Sequence, residues 1–232
     1  MSVSPGVEQL LETVRVRDGM PLRLSRHAAR MARSAREFGW IFNLPAFETA
    51  VAKAALAGEA RLRILLGPDG DFRVEAVPLP LQPSEVILIL SSLRVRSDDP
   101  LCRHKVLPRG IYDRVRREAE EAGAWDGILL NEREHVAETG RANIVIRMGG
   151  EQLTPPLGAG VLPGVIRQAL LEAGAIREAT ISAANLEKAE ALYVTNSLIG
   201  VAPVARVRGI AYKPLHQAMA KGLDSLRTAL NR

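Results

Sequence analysis

The sequence predicts an α+β fold in two parts, and three observations carry that prediction. Strand candidates fall in adjacent pairs, at 61–66 with 72–77, 127–131 with 135–138 and 143–148 with 152–154, each pair spanning a polar or glycine-containing turn. The helical stretches do not alternate regularly with these strands, which disfavours a doubly wound parallel sheet. A polar stretch ending in proline, Ser97-Asp98-Asp99-Pro100, reads as a linker. The expected division is a small N-terminal α/β domain over 1–97, a linker over 98–104 and a larger C-terminal domain over 105–232. A chain of 232 residues is long enough to bury the cores this requires.

Taken in order, LLETVRV at 10–16 alternates apolar and polar residues toward its end and predicts a strand. Arg17-Asp18-Gly19 closes it in a turn where glycine is free to take positive φ. Ser25 stands where an N-cap would, before a helix to Gly39 with Leu24, Ala28, Met31, Ala32, Ala35 and Phe38 on one side. Pro45 opens a second helix that ends before Gly58. The first strand pair turns at Gly-Pro-Asp-Gly, 67–70. Pro78, Pro80 and Pro83 then interrupt, and a strand resumes over 86–93. Beyond the linker a helix is expected over 109–123, with Ile111, Val115 and Ala119 at helical spacing. The two later strand pairs follow. Pro163-Gly164 starts a helix over 165–173, 183–191 is a short helix leading into a strand at 192–194, and an amphipathic helix over 215–230 closes the chain.

Composition narrows the function. The apolar fraction of 47% and charged fraction of 25% are those of an ordinary globular protein. The densest apolar run, 86–90, is far shorter than the roughly 18 residues of a membrane helix, so no membrane partner is expected. No secretory signal is legible at the N-terminus. The single cysteine, Cys102, cannot form an internal disulfide and fits a reducing compartment, so cytoplasm is expected. A net charge of +5 invites a nucleic-acid reading. Against it, the arginines are dispersed among acids, as in Asp113-Arg114-Val115-Arg116-Arg117-Glu118, and aromatics are only 4%. A general bias toward arginine in the source's proteins, or a small anionic substrate, accounts for the same excess.

Motifs remove further classes. There is no GxxxxGK[ST], GxGxxG or GxSxG. His27, His104, His135 and His216 lack metal-ligand spacing, and Cys102 has no partner cysteine, so no metal site is expected. Attention falls instead on Lys105. Only five of the 31 basic residues are lysines, and an amine that must lose its proton to attack a carbonyl cannot be replaced by a guanidinium. Arg103 and His104 beside it tend to lower its pKa. Gly164, immediately before a helix, allows backbone N–H groups and the positive helix end to approach an anion such as phosphate; the alternative is that Pro-Gly merely starts the helix. Thr195-Asn196-Ser197 places three hydrogen-bonding residues at a strand end.

The order of these features, with the words around them, resembles the class IV aminotransferases, the fold type IV enzymes that use pyridoxal 5'-phosphate. The words are LLETVRVRDG, LRLSRHAARMARSAREFG, HK, the glutamate of VAETGRANIV, LTPPLGAGVLPGVIRQALLE and TNSLIGVAPV, and they cover most of the chain. The Asn-Ser-Leu form of the last looks most like the 4-amino-4-deoxychorismate lyases, since transaminase branches usually carry a Gly-Thr or similar pair there. The resemblance implies a two-domain fold with a C-terminal pseudo-barrel and a homodimer. It places Lys105 as Schiff-base lysine and proton carrier, and Glu138 as partner of the pyridine nitrogen. Arg30, the backbone of Val165 and Ile166, Asn143, Asn196 and Ser197 complete the cofactor set. Thr13 and Arg109 would face the substrate, and Arg141, where small residues are common in the family, is expected to alter the substrate pocket. Elimination of pyruvate to give 4-aminobenzoate is the reaction implied, with a branched-chain or D-amino-acid transaminase as the same-cofactor rival and a non-catalytic basic binding protein as the distant one.

Overall fold

The structure is a computed structural model that describes residues 6–54 and 58–231. Its elements run β1 (Gln9–Arg17), β2 (Met20–Pro21), α1 (Leu24–Phe38), α2 (Leu44–Lys53), β3 (Ala60–Leu66), β4 (Phe72–Pro78), β5 (Val86–Val95), β6 (Val106–Leu107), α3 (Ile111–Glu121), β7 (Asp126–Asn131), β8 (Val136–Thr139), β9 (Asn143–Met148), β10 (Glu151–Thr154), α4 (Val165–Glu172), β11 (Arg177–Glu178), α5 (Ala183–Lys188), β12 (Ala191–Asn196), β13 (Gly200–Arg208) and α6 (His216–Leu230). The chain divides into two units, one of residues 1–82 with 104–109 and a second of 83–103 with 110–232.

The first unit is a five-stranded sheet in the order β2-β1-β3-β4, with β6 also on β1, and two helices. β1 pairs antiparallel with β3 from Leu10 opposite Leu66 to Val16 opposite Ala60. Alternate residues of β1, Leu10, Val14 and Val16, turn to a core shared with Ala28, Met31 and Ala35 of α1 and Phe47 and Val51 of α2. Glu12 lies on that same face by the period of two. Ser25 is not the cap of α1. The Leu22 amide bonds back to the Arg15 carbonyl, and Arg23, left-handed at φ 56°, caps the helix two residues earlier. Gly39 ends it in the left-handed conformation that glycine takes without strain. Asn43 caps α2, its side chain accepting from the Ala46 amide at 2.9 Å.

The second unit is built on an eight-stranded mixed sheet, β11-β10-β9-β12-β13-β5-β7-β8. β5 runs parallel to both β13 and β7, so 83–97 belongs here and not with the N-terminal strands. The expected linker is likewise packed: residues 100–103 form a 3-10 turn whose Cys102 joins the cluster of Val95, Val115, Leu129, Ala137, Ala159 and Val161. Residues 104–109 return to the first unit because β6 pairs with Gln9 and Leu10. The helix expected over 183–191 stops at Lys188, since Ala191 is already paired to Arg147 in the sheet. β13, β6 and β11 are strands that the sequence pattern did not mark out.

Central strands are buried on both faces. Along β12, Leu192 and Val194 point into the core with Ile128, Leu130, Ile144 and Ile146. Ala191 and Tyr193 face the opposite layer with Ile166 and Leu170 of α4 and Leu226 of α6. That alternation decides which side chains of β9 and β12 reach the start of α4. Asn143 and Thr195, directly paired across the two strands, share the face of Val145 and Tyr193 that packs on α4.

Candidate functional site

In the second unit the structure assembles Glu138, Asn143 and the loop before α4. Glu138, near the end of β8, is buried, a costly place for a carboxylate unless it is fully engaged. Its Oε1 accepts from the Leu162 amide at 3.1 Å and its Oε2 from Asn143 Nδ2 at 2.9 Å. The Asn143 amide also donates to the Leu162 carbonyl at 3.0 Å, locking strand and loop together. Asn143 therefore acts as support for Glu138. Gly164, cap of α4, is required by this packing: a Cβ there would stand 1.9 Å from Asn143 Oδ1.

α4 begins at Val165, and the first amides of a helix have no partner within it, so Val165 and Ile166 present N–H groups at the positive end of the helix. Their side chains are buried. On the same face, Thr195 is 1% exposed and its hydroxyl finds no hydrogen-bond partner among the described residues. The Asn196 side chain, by contrast, is used internally: Oδ1 accepts from the Leu198 and Ile199 amides at 2.9 Å each, and Nδ2 donates to the Arg141 carbonyl at 3.3 Å. Any ligand contact from Asn196 is left to its backbone. Ser197 lies in the turn that Asn196 caps.

Arg141 is held from the α3 side. Its guanidinium lies 4.9 Å over the Trp125 ring, with Nε 3.5 Å from Asp126 and Nη2 3.8 Å from Glu120, because the buried Asp126 carboxylate draws it toward α3.

In the first unit, Lys105 is partly buried and its backbone is fixed: its carbonyl accepts from the Leu11 amide at 2.8 Å, ahead of the β6 pairing. His104, 6% exposed, anchors the same stretch to α1 through Ser34 Oγ at 2.9 Å, Glu37 at 3.3 Å and the Phe38 ring at 4.6 Å. One turn away on α1, Arg30 is buried and forks onto Glu12, Nε to Oε1 at 2.7 Å and Nη2 to Oε2 at 2.6 Å, while His27 Nδ1 meets Oε2 at 2.6 Å. Burial alone would raise the Glu12 carboxyl; Arg30 and His27 overcome it and bring it down to about 2. The sequence offered a hint of this network in a histidine and an arginine three apart on an amphipathic helix, but Glu12 looked like an ordinary strand residue. Thr13 lies on the other face of β1, opposite Arg63, and Arg109 is half-buried before α3.

The donor set suits an anionic heteroaromatic ligand. A buried carboxylate held as an acceptor matches a protonated ring nitrogen, and the α4 N-terminus with the unpartnered Thr195 hydroxyl matches a phosphate. Within the second unit, these groups make a donor set that a phosphorylated pyridine ring would fit.

The chain belongs to the class IV aminotransferase family, whose model matches residues 9–207. It is 30% identical over 189 residues to a Schizosaccharomyces pombe protein described as a candidate aminodeoxychorismate lyase, covering 78% of this chain and 82% of that protein. A crystal structure from Mesorhizobium loti, described as a candidate amino-acid aminotransferase, superposes with a TM-score of 0.81 at 34% identity, covering 86% of this chain and 99% of that one. The fold is shared with a hypothetical aminotransferase from Mycobacterium tuberculosis in its PLP-bound form, TM-score 0.83 at 24% identity over 99% and 91% of the two chains. The cofactor is pyridoxal 5'-phosphate. Among the described residues no helix is long and apolar enough to cross a membrane, and no group of three His, Cys, Asp or Glu could hold a metal ion.

Proposed function

We propose that this protein is a 4-amino-4-deoxychorismate lyase, eliminating pyruvate to release 4-aminobenzoate. The observation that carries the cofactor chemistry is the buried Glu138 carboxylate, held on both oxygens by Asn143 and Leu162. Elimination over transamination is favoured by the Asn196-Ser197-Leu198 word and by the lyase description of the S. pombe relative. Transamination is the second reading, favoured by the M. loti structure.

When bound, pyridoxal phosphate supplies an electron sink conjugated to the substrate's amine. Lys105 Nζ would be the amine that holds it covalently and, as a base, would carry the proton from the substrate's ring carbon C4 toward the departing enolpyruvate, which leaves as pyruvate. Glu138 would accept the hydrogen bond of the pyridine N–H and keep that nitrogen protonated. The amides of Val165 and Ile166, Ser197, the Asn196 backbone and Arg30 would hold the phosphate. Thr13 and Arg109 would meet the dianionic substrate. The assembly that goes with this reading is a cytoplasmic homodimer, which size-exclusion chromatography with light scattering tests.

The decisive experiment uses protein reconstituted with pyridoxal phosphate. The expected result is a visible absorbance band that Lys105→Ala abolishes, and pyruvate release from aminodeoxychorismate by the wild type. Glutamate formation from an amino acid and 2-oxoglutarate with no pyruvate would install the transaminase reading instead, and a protein that stays colourless would remove both.

A further inference from the structure

Glu138 and the Asn143 that grips it are separated by a four-residue turn, 139–142, so the shape of that turn sets where the carboxylate points. The turn is held from outside by Asp126, the first residue of β7, which is fully buried. Asp126 Oδ2 accepts from the Thr139 hydroxyl and from the Arg141 amide, both at 2.8 Å, and Oδ1 accepts from the Gly127 amide at 2.9 Å. The Thr139 hydroxyl in turn accepts from the Ala142 amide at 3.0 Å, and the Thr139 amide donates to the Ala142 carbonyl at 2.8 Å, closing the turn on itself. Gly140 is wedged: a Cβ there would lie 2.7 Å from both Arg116 Cγ and Asp126 Oδ1 and 2.9 Å from Val115 Cγ1. The Asn196 amide ties the Arg141 carbonyl to the end of β12.

A neutral residue could close such a turn with less desolvation. Burial raises the Asp126 carboxyl against the opposing pull of Arg141, the Thr139 hydroxyl and the two amides, so an ionisable group here is unfavourable for folding. Its position accounts for its presence. One carboxylate collects donors from both sides of Gly140 and fixes the turn against α3, with Glu138 immediately before it and Asn143 immediately after.

We infer that Asp126 is a positioning residue, which through Thr139 and the Arg141 amide sets the turn that aims Glu138 at the ring nitrogen of the cofactor. The inference rests on the role proposed above for Glu138. A misplacement near 1 Å at a reacting group can cost roughly a hundredfold, and the turn is short enough for loss of one of its bonds to produce it.

The test compares Asp126→Asn, Thr139→Val and Thr139→Ser with the wild type. Three quantities are read: apo-protein melting temperature, affinity for pyridoxal phosphate by absorbance titration, and the pH midpoint at which the bound cofactor's visible band titrates. Thr139→Val is close to isosteric and carries the test even if Asp126→Asn fails to fold. Its expected result is a cofactor affinity weakened roughly tenfold to a hundredfold, the order of one lost charge-assisted hydrogen bond, with a moved band midpoint, both restored in Thr139→Ser. A purely structural role would lower the melting temperature and leave the midpoint in place, and that outcome in Thr139→Val overturns the inference while sparing the cofactor reading. A wild type that binds no cofactor overturns both.

Discussion

At the scale of single residues, the charges that matter are the ones the fold buries. Glu12 is the clearest case, because its carboxyl is held near 2 in the native protein by Arg30 and His27 in spite of burial. A carboxyl lowered by folding adds stability that is complete above its unfolded value, near 4.5, and is lost as pH falls through the folded one. The shift corresponds to roughly 3 kcal/mol. Glu12→Gln is therefore expected to lower apo-protein stability by that order at pH 7, with the gap to wild type narrowing between pH 5 and 3. Denaturant unfolding at each pH measures it, and a gap that does not change with pH would refute the pairing. Glu138 shows what residue type alone conceals: a glutamate at a strand end reads as surface, and it is the sheet and the 160s loop that bury it and supply its partners.

At the scale of elements, α4 is positioned less by its own sequence than by what its cap touches. Pro163-Gly164 marks the helix start in the sequence, but the need for glycine at 164 comes from Asn143 packed against it. Gly164→Ala should push Asn143 off Glu138, costing about 1–3 kcal/mol as overpacking does, and weaken cofactor binding with it. Gly158→Ala is the control, since a Cβ there meets nothing within 4 Å. Thermal melting and cofactor titration of the two variants give the comparison, and equal effects would show that the contact with Asn143 is not what matters. The long elements with a clear period, β1, α1, β3, β4 and α6, were legible from pattern. β13 was not, because Pro203 and the arginines at 206 and 208 break the alternation, and it is a strand only because β12 and β5 flank it.

At the scale of the whole molecule, chain order and spatial grouping diverge. A fragment of residues 1–97 would include β5, whose partners β13 and β7 lie beyond it, and would lack β6, which pairs with β1. It should expose Val86 and Leu88 and be insoluble or unfolded when produced alone, and a monomeric fragment with a cooperative melting transition would contradict the grouping. The sequence by itself determined the α+β class and most of the helices and strands, because these depend on local periodicity, whereas the roles of Lys105 and Glu138 were expected only from the resemblance of the surrounding words to a family. Tertiary structure alone decided that 83–103 joins the C-terminal sheet and that 104–109 returns to β1. It also decided that Arg30 meets Glu12, that Arg141 turns to Asp126, and that Asn143 serves Glu138. Each of these is a pairing between residues distant in sequence or set by a turn's packing, and its energy comes from burial and hydrogen bonds that exist only once the sheet has brought the partners together.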